Sequence, residues 1–276
     1  MDQTGVYEAL AFTFLFLWSA PGLAGTGTPS LQPAHEGKAE ASVTVLFDNN
    51  RFDDCLKAKW GFSCLVKGWE KTILFDTGGD GAALLYNMSR LELEPAAIDA
   101  VFLSHIHADH TGGIGRFLEE KSDVEVYLPK SFPIAFKETL KSRGAHVIEL
   151  SGTREILTGV YTTGELGGTL TEQSLILRTP KGIVVITGCA HPGIVNIVRR
   201  AKEITGEEKV YLVMGGFHLG GESASQIESI LREFRCLSVQ KVAPCHCTSD
   251  QARSIFRQEY GDNCIECGVG KRISLP

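Results

Sequence analysis

The sequence predicts a four-layer α/β/β/α sandwich, two sheets face to face with helices on the outside. Three observations predict it. The first half of the 276 residues runs through strands and then alternates strand with helix, and the second half repeats that scheme. Several strand candidates, such as A-V-F-L at 100–103, are apolar without a break, as strands covered on both faces must be. Three strands of the second half each end in a loop that carries a histidine: I-V-V-I-T-G-C-A-H, Y-L-V-M-G-G-F-H and K-V-A-P-C-H-C. Loops at strand ends are where a rigid scaffold gathers its binding groups.

In chain order, Ser42–Phe47 reads as the first strand, and Phe62–Val66 and Thr72–Phe75 as a pair turned at Gly68. Apolar residues at helical spacing mark Gly81–Leu93 as a helix. Ala100–Leu103 is the short strand that runs straight into a histidine cluster. Further helices are expected at Ile114–Glu120, Pro133–Arg143, Ile194–Ile204, Ser223–Phe234 and Ser249–Tyr260. Further strands are expected at Val124–Leu128, His146–Leu150, Gly159–Thr163, Ser174–Arg178, Ile183–Thr187, Val210–Met214 and Lys241–Ala243. No repeat of fixed period and no Pro/Ser-rich linker interrupts residues 42–276, which points to one domain.

Net charge is −6 and no run of Lys and Arg appears, so a nucleic acid partner is not expected. Leu10–Ala20 is apolar and uncharged, too short to span a bilayer and suited to a signal-peptide core. Residues 1–24 are accordingly expected to be a signal peptide cut after Ala24, and 25–41 a flexible tail. Export, to a periplasm, and no stable membrane insertion after cleavage would follow. Asp2 and Glu8 flank the run and no Lys or Arg precedes Lys38, so a misplaced start and a cytoplasmic protein is the competing reading. All eight cysteines lie after residue 54. Exported, they can pair; in a cytosol they stay reduced.

Ser104–His110 reads S-H-I-H-A-D-H. On extended chain His105 and His107 point the same way. A turn after them brings Asp109 and His110 to the same space. Two imidazoles serve one divalent ion, and a carboxylate with an imidazole serves a second. Gly112 and Gly113 follow, turn residues whose N–H groups could also face an anion. Glu165 reads as a solvated loop charge.

With the strand before it, H-x-H-x-D-H resembles the signature of the metallo-β-lactamase superfamily. L-F-D-T-G at 74–78 resembles its first motif, in which Asp76 would support the metal ligands. G-F-S-C-L-V at 61–66, T-G-C-A-H-P-G-I-V-N at 187–196, G-G-F-H-L at 215–219 and P-C-H-C-T at 244–248 narrow the resemblance. They are similar to the subgroup of 7,8-dihydropterin-6-yl-methyl-4-(β-D-ribofuranosyl)aminobenzene 5'-phosphate synthase-like proteins. The resemblance spans about residues 43–274. Between His146 and His191 there is no histidine, where most of the superfamily supplies a third imidazole. Cys189 stands where most members carry a bridging Asp.

The resemblance therefore implies His105, His107 and His191 on a first ion and Asp109, His110 and His246 on a second. Cys189 is either a thiolate ligand or a buried small hydrophobe. His218 binds a substrate phosphate, shuttles a proton, or packs against the site. Alternation points Cys245 and Cys247 away from the metal, and with Cys264 and Cys267 they form a C-x-C…C-x-x-C set open to structural zinc or disulfides. One or two divalent ions are expected, zinc first, with iron or manganese accepting the same donors. The expected activity is hydrolysis of an ester, lactone, amide or phosphate-ester bond in a small molecule by activated water, with Asp109 steering the proton. The alternative is the subgroup's displacement of diphosphate from a pterin. A non-catalytic metal-dependent binder is a third reading. If the signal reading holds, intact mass of protein from a native host will show a chain beginning near Gly25. Cytoplasmic protein retaining residues 1–24 would overturn it.

Overall fold

The computed structural model describes residues 40–276. The signal-peptide expectation for residues 1–24 lies outside the described residues, as does the tail except residues 40 and 41.

The first half lays down β1 (Ser42–Phe47), β2 (Ser63–Lys67), β3 (Ile73–Phe75), α1 (Gly81–Arg90), β4 (Ala100–Phe102), α2 (Ala108–Thr111), α3 (Ile114–Glu120), β5 (Glu125–Pro129), α4 (Ile134–Ser142) and β6 (His146–Leu150). The second half adds β7 (Arg154–Leu157), β8 (Val160–Thr162), β9 (Leu166–Gly167), β10 (Thr171–Glu172), β11 (Leu175–Thr179) and β12 (Gly182–Thr187). It continues with α5 (Ile194–Thr205), β13 (Val210–Gly216), α6 (Ala224–Cys236), β14 (Val239–Cys245), α7 (Asp250–Tyr260) and β15 (Arg272–Ser274).

One sheet has the order β15-β1-β2-β3-β4-β5-β6 and the other β14-β13-β12-β11-β8-β7, with β9 and β10 as a small ribbon apart. In the first sheet β3 to β6 are parallel and the rest antiparallel. In the second, β12, β13 and β14 are parallel. The two halves are thus built alike, which is the expected sandwich.

Alternation along the strands explains the layers. Ile73, Phe75, Ala100 and Phe102 face Leu175, Leu177, Val184 and Leu212 across the middle. Their neighbours Leu74, Val101, Val126 and Leu128 turn outward against Leu84, Phe117 and Leu140 of α1, α3 and α4. Likewise Ile183, Val185 and Val213 turn outward against Val198, Leu231 and Phe256 of α5, α6 and α7. Each strand is apolar on both faces because each face has a layer to meet.

The differences from expectation are local. α1 ends at Arg90 rather than Leu93, and residues 95–97 form a separate 3₁₀ turn. β7, β9, β10 and β15 have no counterpart among the expected strands: β7 alternates weakly and is an edge strand, β9 and β10 are two residues each, and β15 is only three residues long. Gly112 and Gly113 do not offer N–H groups to an anion. Gly112 donates to Ala108 O and Gly113 to Gly78 O. A Cβ on Gly113 would come within 2.1 Å of Thr77 O, so its role is close backbone approach. Glu165 is not simply solvated: its carboxylate accepts the Ser131 N–H at 2.6 Å. No helix among the described residues is long and apolar enough to cross a membrane.

Phe102 is fully buried between the sheets, its ring stacked 5.5 Å from that of Phe75. Phe102→Ala is expected to lower stability by about 3–5 kcal/mol in urea unfolding, the usual cost of an aromatic cavity. A loss under 1 kcal/mol would mean the intersheet core is loosely packed there.

Candidate metal centre

The parallel strands β3, β4, β12, β13 and β14 all end on one edge of the sandwich, and the loops that leave them carry the chemistry. Asp76 follows β3 directly. Its Oδ1 accepts the Ser104 N–H at 2.7 Å, and its Oδ2 accepts the Ser104 hydroxyl and His110 Nδ1–H, each at 2.7 Å. With its proton given to Asp76, Ser104 Oγ is left to accept from His105 Nδ1 at 2.9 Å. One carboxylate therefore fixes the tautomers of two histidines and leaves a lone pair on Nε2 of each.

Those lone pairs face others. His105 Nε2 lies 3.2 Å from His107 Nδ1. His191 Nε2, which completes this cluster, is buried and has no hydrogen-bond partner. In the second cluster His110 Nε2 lies 3.2 Å from His246 Nε2 and 3.1 Å from Cys189 Sγ. Asp109 Oδ2 is 3.3 Å from His246 Nε2 and 3.7 Å from His110 Nε2. His246 Nδ1 meets Asn49 Oδ1 at 3.0 Å, and that amide's nitrogen donates to His246 O, so the Nδ1 must carry the proton. Two nitrogen lone pairs pointed at each other repel unless a cation lies between them. A proton relieves one pair; a divalent ion satisfies all four donors. Zinc–nitrogen bonds of ~2.0–2.1 Å give tetrahedral edges of about 3.3 Å, so the donor spacing fits a zinc-sized ion. The N/O/S set suits zinc and admits iron or manganese.

The other two ligand loops are held by acids that sequence reading did not single out. Buried Glu172 accepts the N–H groups of Gly188, Cys189 and Ala190 on Oε1, at 3.1, 2.9 and 2.9 Å, and that of His191 on Oε2 at 2.9 Å. That fixes where Cys189 and His191 point. A Cβ on Gly188 would lie 2.2 Å from Ser104 Oγ, so glycine lets this loop abut the first. Asp48 accepts the His246 N–H at 3.2 Å, and burial pushes its carboxyl up to about 6. Asp76, Ala190, His218 and His246 all adopt positive φ, between 49° and 60°. Non-glycine residues hold that conformation only where surrounding contacts impose it.

Electrostatics agree with a cation-seeking site. Burial, then the neighbouring imidazoles, depress His105 strongly and lower His191 to about 4. Burial alone would lower His110 as well, but the Asp76 carboxylate outweighs it and raises the net value. Burial opposes ionisation of Asp109, yet His246 and His110 hold it below the ordinary carboxylate range.

All seven candidate ligands converge: His105, His107 and His191 in one cluster, Asp109, His110, Cys189 and His246 in the other. His218 lies at the rim, its ring 4.4 Å from that of His191, and its backbone N–H donates to Cys247 Sγ at 3.2 Å. Cys247 is a correction. The left-handed turn at His246 breaks strand alternation, so Cys247 joins Cys189 and His218 instead of facing away. Cys245 does face away, into the intersheet core. All eight cysteines are free, and the C-x-C…C-x-x-C set is not gathered into a donor cluster. Trp60, 60 % exposed with its ring 4.9 Å from that of His246, is a rim residue that no motif marked.

Comparison with known proteins adds the following. The model of the Metallo-beta-lactamase superfamily matches residues 61–224, more than half of the chain. The 7,8-dihydropterin-6-methyl-4-(beta-D-ribofuranosyl)-aminobenzene-5'-phosphate synthase of Methanocaldococcus jannaschii is 29% identical, over 84% of this chain and 95% of its own. The solved structure of Tm1679, a metal-dependent hydrolase of the beta-lactamase superfamily, is similar with a TM-score of 0.72 and 29% identity. That match covers 85% of this chain and 99% of the other. YhfI from Bacillus subtilis, of the metallo-beta-lactamase fold, has a TM-score of 0.64 at 15% identity, covering 84% of this chain and 98% of its own.

His191 generates a pH prediction. Its native value of about 4 lies below the ordinary 6.5, so between the two the unfolded chain binds a proton that the native state refuses. Its contribution is present above pH 6.5 and is lost as pH falls toward 4. In metal-free protein the melting temperature of His191→Gln should fall less steeply over that window than that of the wild type. Equal slopes would place His191 in solvent-like surroundings.

Proposed function

This chain belongs to the metallo-β-lactamase superfamily, and we propose that it is a two-metal enzyme which displaces an oxyanion leaving group from a small aromatic substrate. The reaction is that of the synthase it resembles. The carbon–oxygen bond to a diphosphate breaks, a bond to an aromatic acceptor forms, and the acceptor gives up a proton. The observation that carries the metal reading is the convergence of seven donors, with His191 Nε2 buried and otherwise without a partner. The finer reading is supported by likeness to the synthase across nearly its whole length.

Divalent ions held by His105, His107 and His191 and by Asp109, His110, Cys189 and His246 would supply Lewis-acid polarisation and positive charge. The chain does the rest. Asp109, partly open to the cleft and kept ionised by His246 and His110, is placed to orient the group that loses the proton. Trp60 offers an exposed aromatic face beside His246 on which a flat heterocycle can stack. A cavity of about 570 Å³ adjoins Asn49 and carries charge of both signs, with Arg253 paired to Asp250 and Arg257 to Glu266 on its lining.

A second reading, hydrolysis with water as the acceptor, is favoured by the likeness to a metal-dependent hydrolase. Zinc-loaded protein given a pterin methyl diphosphate separates the two. Diphosphate release that requires the ribofuranosylaminobenzene phosphate supports the transferase. Release without it supports the hydrolase, and no release with either would sink both. On whichever substrate is turned over, His246→Ala is expected to lose at least about 100-fold in kcat/KM. Trp60→Ala should raise KM about fivefold with kcat little changed. A Trp60→Ala enzyme with unaltered KM would remove the stacking role.

A further inference from the structure

Overlapping the second cluster at Cys189 lies a third group of donors, two of which, Cys247 and His218, the proposed reaction does not use. Cys189 Sγ, Cys247 Sγ and a His218 ring nitrogen lie within 4.8 Å of one another. The three residues come from the three loops that follow β12, β13 and β14. Their convergence is enforced at several points. Glu172 fixes the backbone of Cys189. His218 and His246 both hold positive φ, and without the turn at His246 the Cys247 sulfur would point elsewhere. A Cβ on Gly216 would come within 2.6 Å of Cys247 Sγ, so the bare glycine makes room for the sulfur. Cys189 is buried and Cys247 half-buried, and His218 is exposed at the rim.

We propose that Cys189, Cys247 and His218 form a third metal position, selective for a thiophilic d¹⁰ ion and sharing the Cys189 sulfur with the second position. The chemistry distinguishes it from its neighbours. The first cluster is all imidazole and the second mixes imidazole, carboxylate and one sulfur, whereas this one offers two sulfurs and one imidazole. Soft thiolates select zinc, cadmium or cuprous ions over magnesium or manganese. Three protein donors would leave one coordination position of a four-coordinate ion for water or a ligand. The position stands whichever reaction the cleft performs.

The test uses the full chain with Cys55, Cys236 and Cys264 replaced by Ser, which removes the thiols that lie at least partly exposed elsewhere. Metal-free protein is titrated with cadmium, following sulfur-to-cadmium charge-transfer absorbance and counting bound metal by elemental analysis. Three equivalents are expected, with absorbance for two thiolates. Cys247→Ser in that background should bind two equivalents and lose about half of the absorbance. His218→Ala should weaken the third equivalent at least tenfold and leave the first two. His105→Ala with His107→Ala should remove one equivalent and keep the absorbance, which separates this site from the failure of the metal pair. Two equivalents in the parent, or stoichiometry and absorbance unchanged by Cys247→Ser, would overturn the proposal. If Cys247→Ser does not fold, the exposed His218→Ala decides alone: an unweakened third equivalent refutes it.

Discussion

The Asp76 carboxylate is the interaction on which the rest of the site depends. It is fully buried, yet both oxygens are engaged, by the Ser104 N–H, the Ser104 hydroxyl and His110 Nδ1. Through Ser104 its influence extends to His105. One ligand of each metal cluster thus has its tautomer and ring orientation set by the same group. Such a charge is tolerated in the interior only with its hydrogen bonds complete and positive charge close by. Removing it would free the His110 ring, loosen the Ser104 hydroxyl that orients His105, and leave the Ser104 N–H without its acceptor.

The same device recurs. Glu172 gathers four successive N–H groups of the 188–191 loop, and Asp48 with Asn49 grips His246. Each ligand loop is fixed by a buried acid that does not itself belong to a donor cluster. The backbone pays for this in positive φ at Asp76, Ala190, His218 and His246. These supports hold the donors in place, so they need not be drawn together by the ion.

Why the site lies where it does follows from topology. Two parallel runs, one per sheet, end on the same edge, and loops from both can meet only across the gap between the sheets. Open parallel sheets bind at the carboxyl ends of their strands for the same reason. The intersheet core of Phe75, Phe102, Leu177 and Leu212 sets the distance between the loops, so packing far from the metal centre governs donor spacing.

The sequence by itself determined the layer architecture, since alternation of apolar strands and helices leaves few ways to bury every face. It also singled out the candidate donors, because H-x-H-x-D-H compresses four of them into residues 105–110, and because Cys189, His191 and His246 stand in motifs that carry the family resemblance. What only the tertiary structure decided are partners distant along the chain and turns that defy local period. Asp48 and Asn49 lie almost 200 residues from His246, and Glu172 sits in a two-residue strand that carries no pattern. Trp60 reaches the rim because its loop folds over Asp109, whose backbone carbonyl accepts the Phe62 N–H. Cys247 reads as outward-facing until the left-handed turn at His246 reverses it. Periodicity reports which face a side chain takes on a regular element; at a strand's end the backbone leaves that period, and long-range hydrogen bonds choose the direction instead.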